Sequence, residues 1–333
     1  MSSVSSSSLD DRDVRELDRE DDMVASALEF ARMGDVARAT ATLAQAARNA
    51  ASATGAARLW AACAMVEREG HGAGEHVIAL LRQSLMAAED AAANEGGSDV
   101  LAGVLLMLGE TLLEAATSGG VTTQDADVAR LQESVRCHQR AERLFRQRKD
   151  AGGAGLCLIN TAVAYLSMGG GPSSLKPKIA EQCLRAALAE LDPVEHETTW
   201  CSAAVNLANV LQQLPVSTDG RELFEAVALY HEVAHRRRVA GDEPGTARAF
   251  ANLGCLMGKL GRFAEAEENL REALRLFAGD AEAIQGVEAT LRELDQARAA
   301  ANSSDRLRRE EQDLGSRCGG GACGCAGREG AEA

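Results

Sequence analysis

The run FANLGCLMGKLGRFAEAEENLREALRLF, residues 250–277, sets how the rest of the chain reads. Phe250, Leu253 and Met257 fall on one stripe of a helix, with Gly254 beside them. Leu260, Gly261 and Arg262 break the pattern with a turn. Ala266, Leu270 and Ala273 then form a matching stripe on a second helix. Small residues at 254 and 266 let the two helices approach closely, and the larger ones fill the seam between them. The segment therefore reads as a helical hairpin.

Weaker copies precede it. Ala204, Leu207, Ala208 and Leu211 pair with Ala226, Tyr230 and Val233, and Leu158, Ala162 and Tyr165 with Ala180, Leu184 and Ala187. Leu105, Leu108, Gly109 and Leu112 pair with a helix around His138 and Ala141. Leu59, Cys63 and Val66 pair with Val77 and Leu81, and Met23, Ala27 and Phe30 with Ala39, Leu43 and Ala46. Six hairpins follow, with small positions at Ala27, Cys63, Gly109, Ala162, Ala208 and Gly254, the last three each 46 residues apart. Extra residues fall mostly in loops inside hairpins, where insertion costs little. Residues 281–300 supply a closing helix with a polar outer face, as a solenoid end requires. Residues 1–20 and 301–333 are too polar or too Gly-rich to offset the entropy of ordering, so disordered tails are expected around a 21–300 core.

The 250–277 segment resembles the tetratricopeptide repeat (TPR), whose pattern is a large residue, Leu-Gly, a large residue, then Ala, an aromatic or Leu, and Ala. Gly254, Ala266 and Ala273 match the small positions; the usual closing proline is replaced by Ala278. The resemblance implies an all-α, right-handed α-solenoid of about six TPR-like hairpins with disordered termini. It implies a protein-binding scaffold that holds peptide segments in a concave groove, with no catalytic site and no cofactor. Long second helices ending in Gly-Asp turns are similar to the repeats of kinesin light chains and Leu-Gly-Asn adaptors.

Composition narrows the alternatives. Scarce large aromatics and only five prolines favour helix over sheet. A net charge of −15 argues against nucleic acid as partner, and the Arg236-Arg237-Arg238 run reads as a solvated helix face. The most apolar stretch, 101–116, is interrupted by Glu110 and Glu114, so no membrane span is expected. Six cysteines scattered singly through helical segments suit a reducing compartment, with the cytoplasm as default address.

Asn160, Asn206 and Asn252 each precede the small position of their repeat by two residues. In TPR families that position faces the groove, where an amide can both donate to and accept from an extended peptide backbone. The other reading is that these amides bond neighbouring repeats or water. Asn209 lies one turn beyond Asn206. Arg248 either meets an acidic group on the ligand or faces solvent. The clamp that some TPR domains use for C-terminal carboxylates is not recognisable, since Ile159 stands where it would place a lysine.

His231, Glu232 and His235 spell H-E-x-x-H, which on a helix sets two imidazoles one turn apart beside a carboxylate, as in zinc peptidases. Against this, three arginines follow directly, and the third ligand would have to come from Glu265 or Glu268. Tyr230, Val233 and Ala234 already take the inward positions, which leaves both histidines on the surface. Cys318, Cys323 and Cys325 form an incomplete zinc set in a Gly-rich tail, which reads mainly as a spacer.

Overall fold

The structure, a computed structural model, describes residues 11–118, 125–169, 175–215, 217, 219–277 and 279–319. Residues 1–10 and 320–333 of the two expected tails, with Cys323 and Cys325, lie outside them, as does Ala278. Thirteen helices and no strand occur among the described residues. They are α1 Asp11–Arg32, α2 Val36–Asn49, α3 Ala53–His71, α4 Glu75–Asn94, α5 Ser98–Thr117, α6 Asp125–Gln147 and α7 Ala151–Ser167. There follow α8 Lys176–Glu190, α9 Glu197–Leu211, α10 Arg221–Val239, α11 Glu243–Lys259, α12 Phe263–Leu276 and α13 Ala281–Gly319. Helix begins at Asp11, inside the segment expected as a tail, and α13 runs past residue 300.

Two compact units divide the chain, Met1–Leu229 and Tyr230–Ala333, with the boundary inside α10. In the first unit consecutive helices pack in sequence, α1 on α2 through to α8 on α9. First helices of successive hairpins also touch, α3 on α5, α5 on α7 and α7 on α9. This is the stacking of a helical solenoid, in which each hairpin buries its stripe against its neighbours. The stripes read from the sequence form the core: Ala27, Leu43, Cys63, Leu81, Leu105, Leu112, Ala162, Leu184, Leu207 and Leu211 are all buried.

In the second unit α11 packs on α12, and α13 covers both. Gly254 makes the close approach possible, because a Cβ there would lie 2.6 Å from Leu270 Cγ and 3.1 Å from the Ala266 carbonyl oxygen. In the first unit Gly109 serves α5 and α6 likewise: its Cβ would meet His138 Nε2 at 2.5 Å.

Local signals fix the helix ends. The Asp35, Asp150 and Asp242 carboxylates accept from the backbone N–H three residues on, capping α2, α7 and α11. A longer-range cap joins α4 to α3. Glu95 accepts from the Ala53 and Thr54 backbone N–H groups and from Thr54 Oγ1, at 2.6–3.1 Å. These bonds hold its carboxyl below the usual range.

The helix α5 is long and apolar enough to cross a membrane by length and composition, and half of its most apolar stretch is buried. Cys63, Cys137, Cys157, Cys183 and Cys255 are free thiols. Burial pushes Cys63 and Cys137 up to about 11 and Cys157 up to about 12.

Candidate functional site

A partly exposed stripe runs along α5, α7 and α9 of the first unit. On α5 it comprises Leu106, Met107, Glu110 and Leu113; on α7, Leu156, Asn160 and Val163; on α9, Ser202, Val205, Asn206 and Asn209. The spacing of three or four residues brings these side chains to one side of each helix; Leu106, Met107 and Leu113 pack in part against the core and stay partly exposed. Two cross-helix bonds join the stripes: Arg68 of α3 pairs with Glu114 of α5, and Asn160 Nδ2 of α7 donates to Glu110 Oε1 of α5 at 3.2 Å.

Two of the three candidate amides, Asn160 and Asn206, are already hydrogen-bonded. Asn160 links two repeats, while Asn206 Nδ2 donates to the Ser202 carbonyl of its own helix at 3.0 Å. Each keeps a second N–H and lone pairs on its carbonyl oxygen. Asn209 is partly exposed, and its carbonyl accepts from Gln213 Nε2 at 3.4 Å. In the second unit, partly exposed Asn252 has no hydrogen-bond partner among the described residues, and Arg248 is exposed without an ion pair. Ile159 is buried and forms part of the core.

Glu110 is the site residue that sequence reasoning missed. It registered only as an interruption of an apolar run, whereas it stands mid-stripe and partly buried. Burial raises its carboxyl pKa, against the Asn160 hydrogen bond and the charge of Arg68, which lower it. Its signal was available: a carboxylate directly after the small position of a largely apolar helix.

The opposite side, built by second helices, is tied across repeats by arginine–glutamate pairs. Arg82 grips Glu133 and Arg130 grips Glu75 between α4 and α6. Arg146 pairs with Glu190, and Arg185 with Glu225 at 2.7 Å. Within the second unit Arg238 pairs with Glu272 at 2.8 Å. Many arginines of this acidic chain are thus spent on holding neighbouring repeats together.

This second-helix side also has open hollows. In the first unit one of about 470 Å³ lies between α2 and α4, with Trp60 of α3 among its lining and Ala41, Ala44 and Leu80 as walls. In the second unit one of about 770 Å³ is lined by Phe250 of α11, by His231 and Arg238, and by acids of α12. The Arg238 guanidinium stands 5.0 Å from the Phe250 ring centroid. Trp60 in α3 takes the place of Phe250 in α11, which corrects the register of that repeat by one residue. Ala64, 1% exposed, corresponds to Gly254, and Cys63 to Leu253.

The H-E-x-x-H residues do not converge on a metal. His231 and His235 are exposed on α10, and Glu232 is bonded to Arg236 at 2.7 Å. Glu265 and Glu268 line the same hollow as His231. No group of three His, Cys, Asp or Glu residues able to hold a metal ion occurs among the described residues.

Stacked antiparallel helix pairs with a small residue at each crossing define a helical-repeat protein. Residues 201–278 match the tetratricopeptide repeat family. That match covers less than a quarter of the chain, and the helical hairpins before it share the same stacked architecture. A search of curated protein sequences gives no match. Among solved structures, BtubC (BKLC) from P. vanneervenii is similar at TM-score 0.53 and 16% identity, over 79% of this chain and 90% of that one. A signal transduction ATPase with numerous domains and a tetratricopeptide repeat sensor, from Pyrococcus horikoshii, is similar at TM-score 0.62 and 13% identity. That likeness covers 90% of this chain but 44% of that one. The apo form of RapI is similar at TM-score 0.53 and 10% identity, over 86% of this chain and 99% of that one. These likenesses establish the fold.

Proposed function

We propose that the chain is a protein-interaction scaffold that holds peptide segments against the face built by its first helices and catalyses no reaction. The observation that carries this reading is the stripe on α5, α7 and α9. It keeps apolar side chains partly exposed beside amides with hydrogen-bonding capacity to spare. Amides of this kind capture a peptide backbone, and the apolar neighbours read alternate side chains. The ligand is ordered on binding, so affinity is modest. Cysteines scattered singly through the helices and the negative net charge support a reducing compartment and a partner other than nucleic acid.

The test is affinity capture from native cell lysate with wild type and an Asn160→Ala/Asn206→Ala/Asn252→Ala variant. Specific partners lost by the variant, with helicity by circular dichroism unchanged, support the reading. Partners retained in full end it.

A second reading, a structural subunit docked through its second-helix side, is favoured by the hollows at Trp60 and Phe250. It expects partners that survive the amide substitutions and are lost in Trp60→Ala or Phe250→Ala.

A further inference from the structure

If the first-helix face of the first unit holds a peptide, as proposed above, α5 and α7 also specify that peptide's chemistry. Both helices are apolar, and only half of the most apolar stretch of α5 is buried. Beside Asn160 the partly exposed side chains are aliphatic: Leu156 and Val163 on α7, and Leu106, Met107 and Leu113 on α5, whose inner parts pack on the core. Covering such a strip with apolar groups lowers the free energy relative to leaving it in water.

One carboxylate stands in the middle of this strip. Among the described residues Glu110 receives one hydrogen bond, from the neutral amide of Asn160. The positive charge that acts on it, Arg68, is bonded to Glu114. Burial disfavours its charged form. A half-desolvated carboxylate with one neutral donor lacks a cation, and in a chain of net charge −15 a basic ligand is also the one that long-range attraction favours.

We infer that the first unit binds an apolar peptide segment carrying a lysine or arginine, the cation seated on Glu110 and the flanking aliphatic side chains on Leu106, Met107, Leu113 and Val163. The charge-assisted hydrogen bond fixes register, and the apolar flanks contribute most of the contact area.

The experiment is selection from a displayed random dodecapeptide library on the full chain, followed by fluorescence anisotropy with the selected peptides. Lysine or arginine between aliphatic residues is the expected consensus. Glu110→Gln, which preserves the Asn160 bond and the helical spectrum, weakens those peptides about tenfold or more. A norleucine-for-lysine peptide binds wild type and Glu110→Gln alike. Selected peptides without a basic residue, or with equal affinity for both chains, overturn the cation assignment and leave the groove reading standing. Selected peptides indifferent to a still-helical Val163→Asp variant overturn the groove reading as well. Failure to select any peptide, or flotation of the chain with phosphatidylcholine vesicles in a manner abolished by Val163→Asp, overturns both, the latter in favour of a lipid surface.

Discussion

Hairpin α5–α6 and hairpin α11–α12 each close on a glycine, and they fill the opposing position with different chemistry. Opposite Gly254 stands Leu270, 1% exposed. Opposite Gly109 stands His138, fully buried, with Nε2 unsatisfied by any hydrogen bond of standard geometry. Ser134 shares that second seam: its Oγ donates to the Gly109 carbonyl at 2.7 Å and lies 3.4 Å from His138 Nδ1. The glycine fixes how near the helices come. The residue facing it needs only the right bulk, but a polar plug introduces a titratable group into the core.

The largest effect is expected at the apolar plug. Leu270→Ala removes a buried side chain that nothing can replace and costs about 2–5 kcal/mol. In a repeat array each hairpin depends on its neighbours, so the loss is read locally, as reduced amide protection in α11 and α12 by hydrogen exchange. An equal loss of protection in α5 and α6 would break the comparison, since the two hairpins would then unfold as one.

The polar plug makes the next largest difference, and it depends on pH. Burial lowers the pKa of His138 from 6.5 to about 4, with the nearby Leu106 backbone opposing the drop. The unfolded chain therefore binds this proton more readily than the folded one. Stability from this group is complete above about pH 6.5 and is lost as pH falls towards 4. The full interval corresponds to about 3 kcal/mol. His138→Leu, which is of similar bulk, should flatten the urea midpoint between pH 6.5 and 4 without affecting its value near pH 8 by a comparable amount. A profile unchanged by the substitution would assign the acid sensitivity elsewhere, for instance to the Glu95 cap.

Packing at the glycine itself comes third. Gly109→Ala drives a methyl into the imidazole and costs about 1–3 kcal/mol. On the same helix a Cβ at Gly103 would meet nothing within 4 Å, so Gly103→Ala gains about 0.5–1 kcal/mol by helix preference alone. Opposite signs for two Gly→Ala changes in α5 are the check; two gains would mean that His138 moves aside.

Much of this was legible before any coordinates. The helical period exposed the stripes from Leu105 to Leu270, and the 46-residue recurrence of asparagine marked one face of the first helices. What stayed hidden depends on partners distant in sequence. Glu110 matters because Asn160 and Arg68 reach towards it from other hairpins, and no spacing within α5 reports that. Register in α3 slipped by one residue because Cys63 and Ala64 are both small and both buried. Only the Trp60 hollow, set beside that of Phe250, separates them. The arginine–glutamate pairs of the second helices were likewise unreadable, since each joins residues 34–55 apart across loops of unequal length.

The smallest effect sharpens a second pairing between the same two regions, the turn into α7 and the turn into α11. In the α11 turn Gly241 adopts φ +76° before Asp242, whose N–H donates to the Arg237 carbonyl at 2.8 Å. In the α7 turn Lys149 adopts φ +59° before Asp150, whose N–H donates to the Phe145 carbonyl at 2.9 Å. The hydrogen bonds are the same, but a lysine Cβ in the left-handed region costs about 1–2 kcal/mol. Lys149→Gly relieves that strain and gives back part of it, because glycine frees the unfolded chain. A net gain of about 0.5–1 kcal/mol is expected in the urea midpoint of the first unit, and Gly241→Lys should lose a similar amount in the second. A loss at Lys149→Gly would mean that the lysine side chain stabilises its turn by more than the strain it imposes.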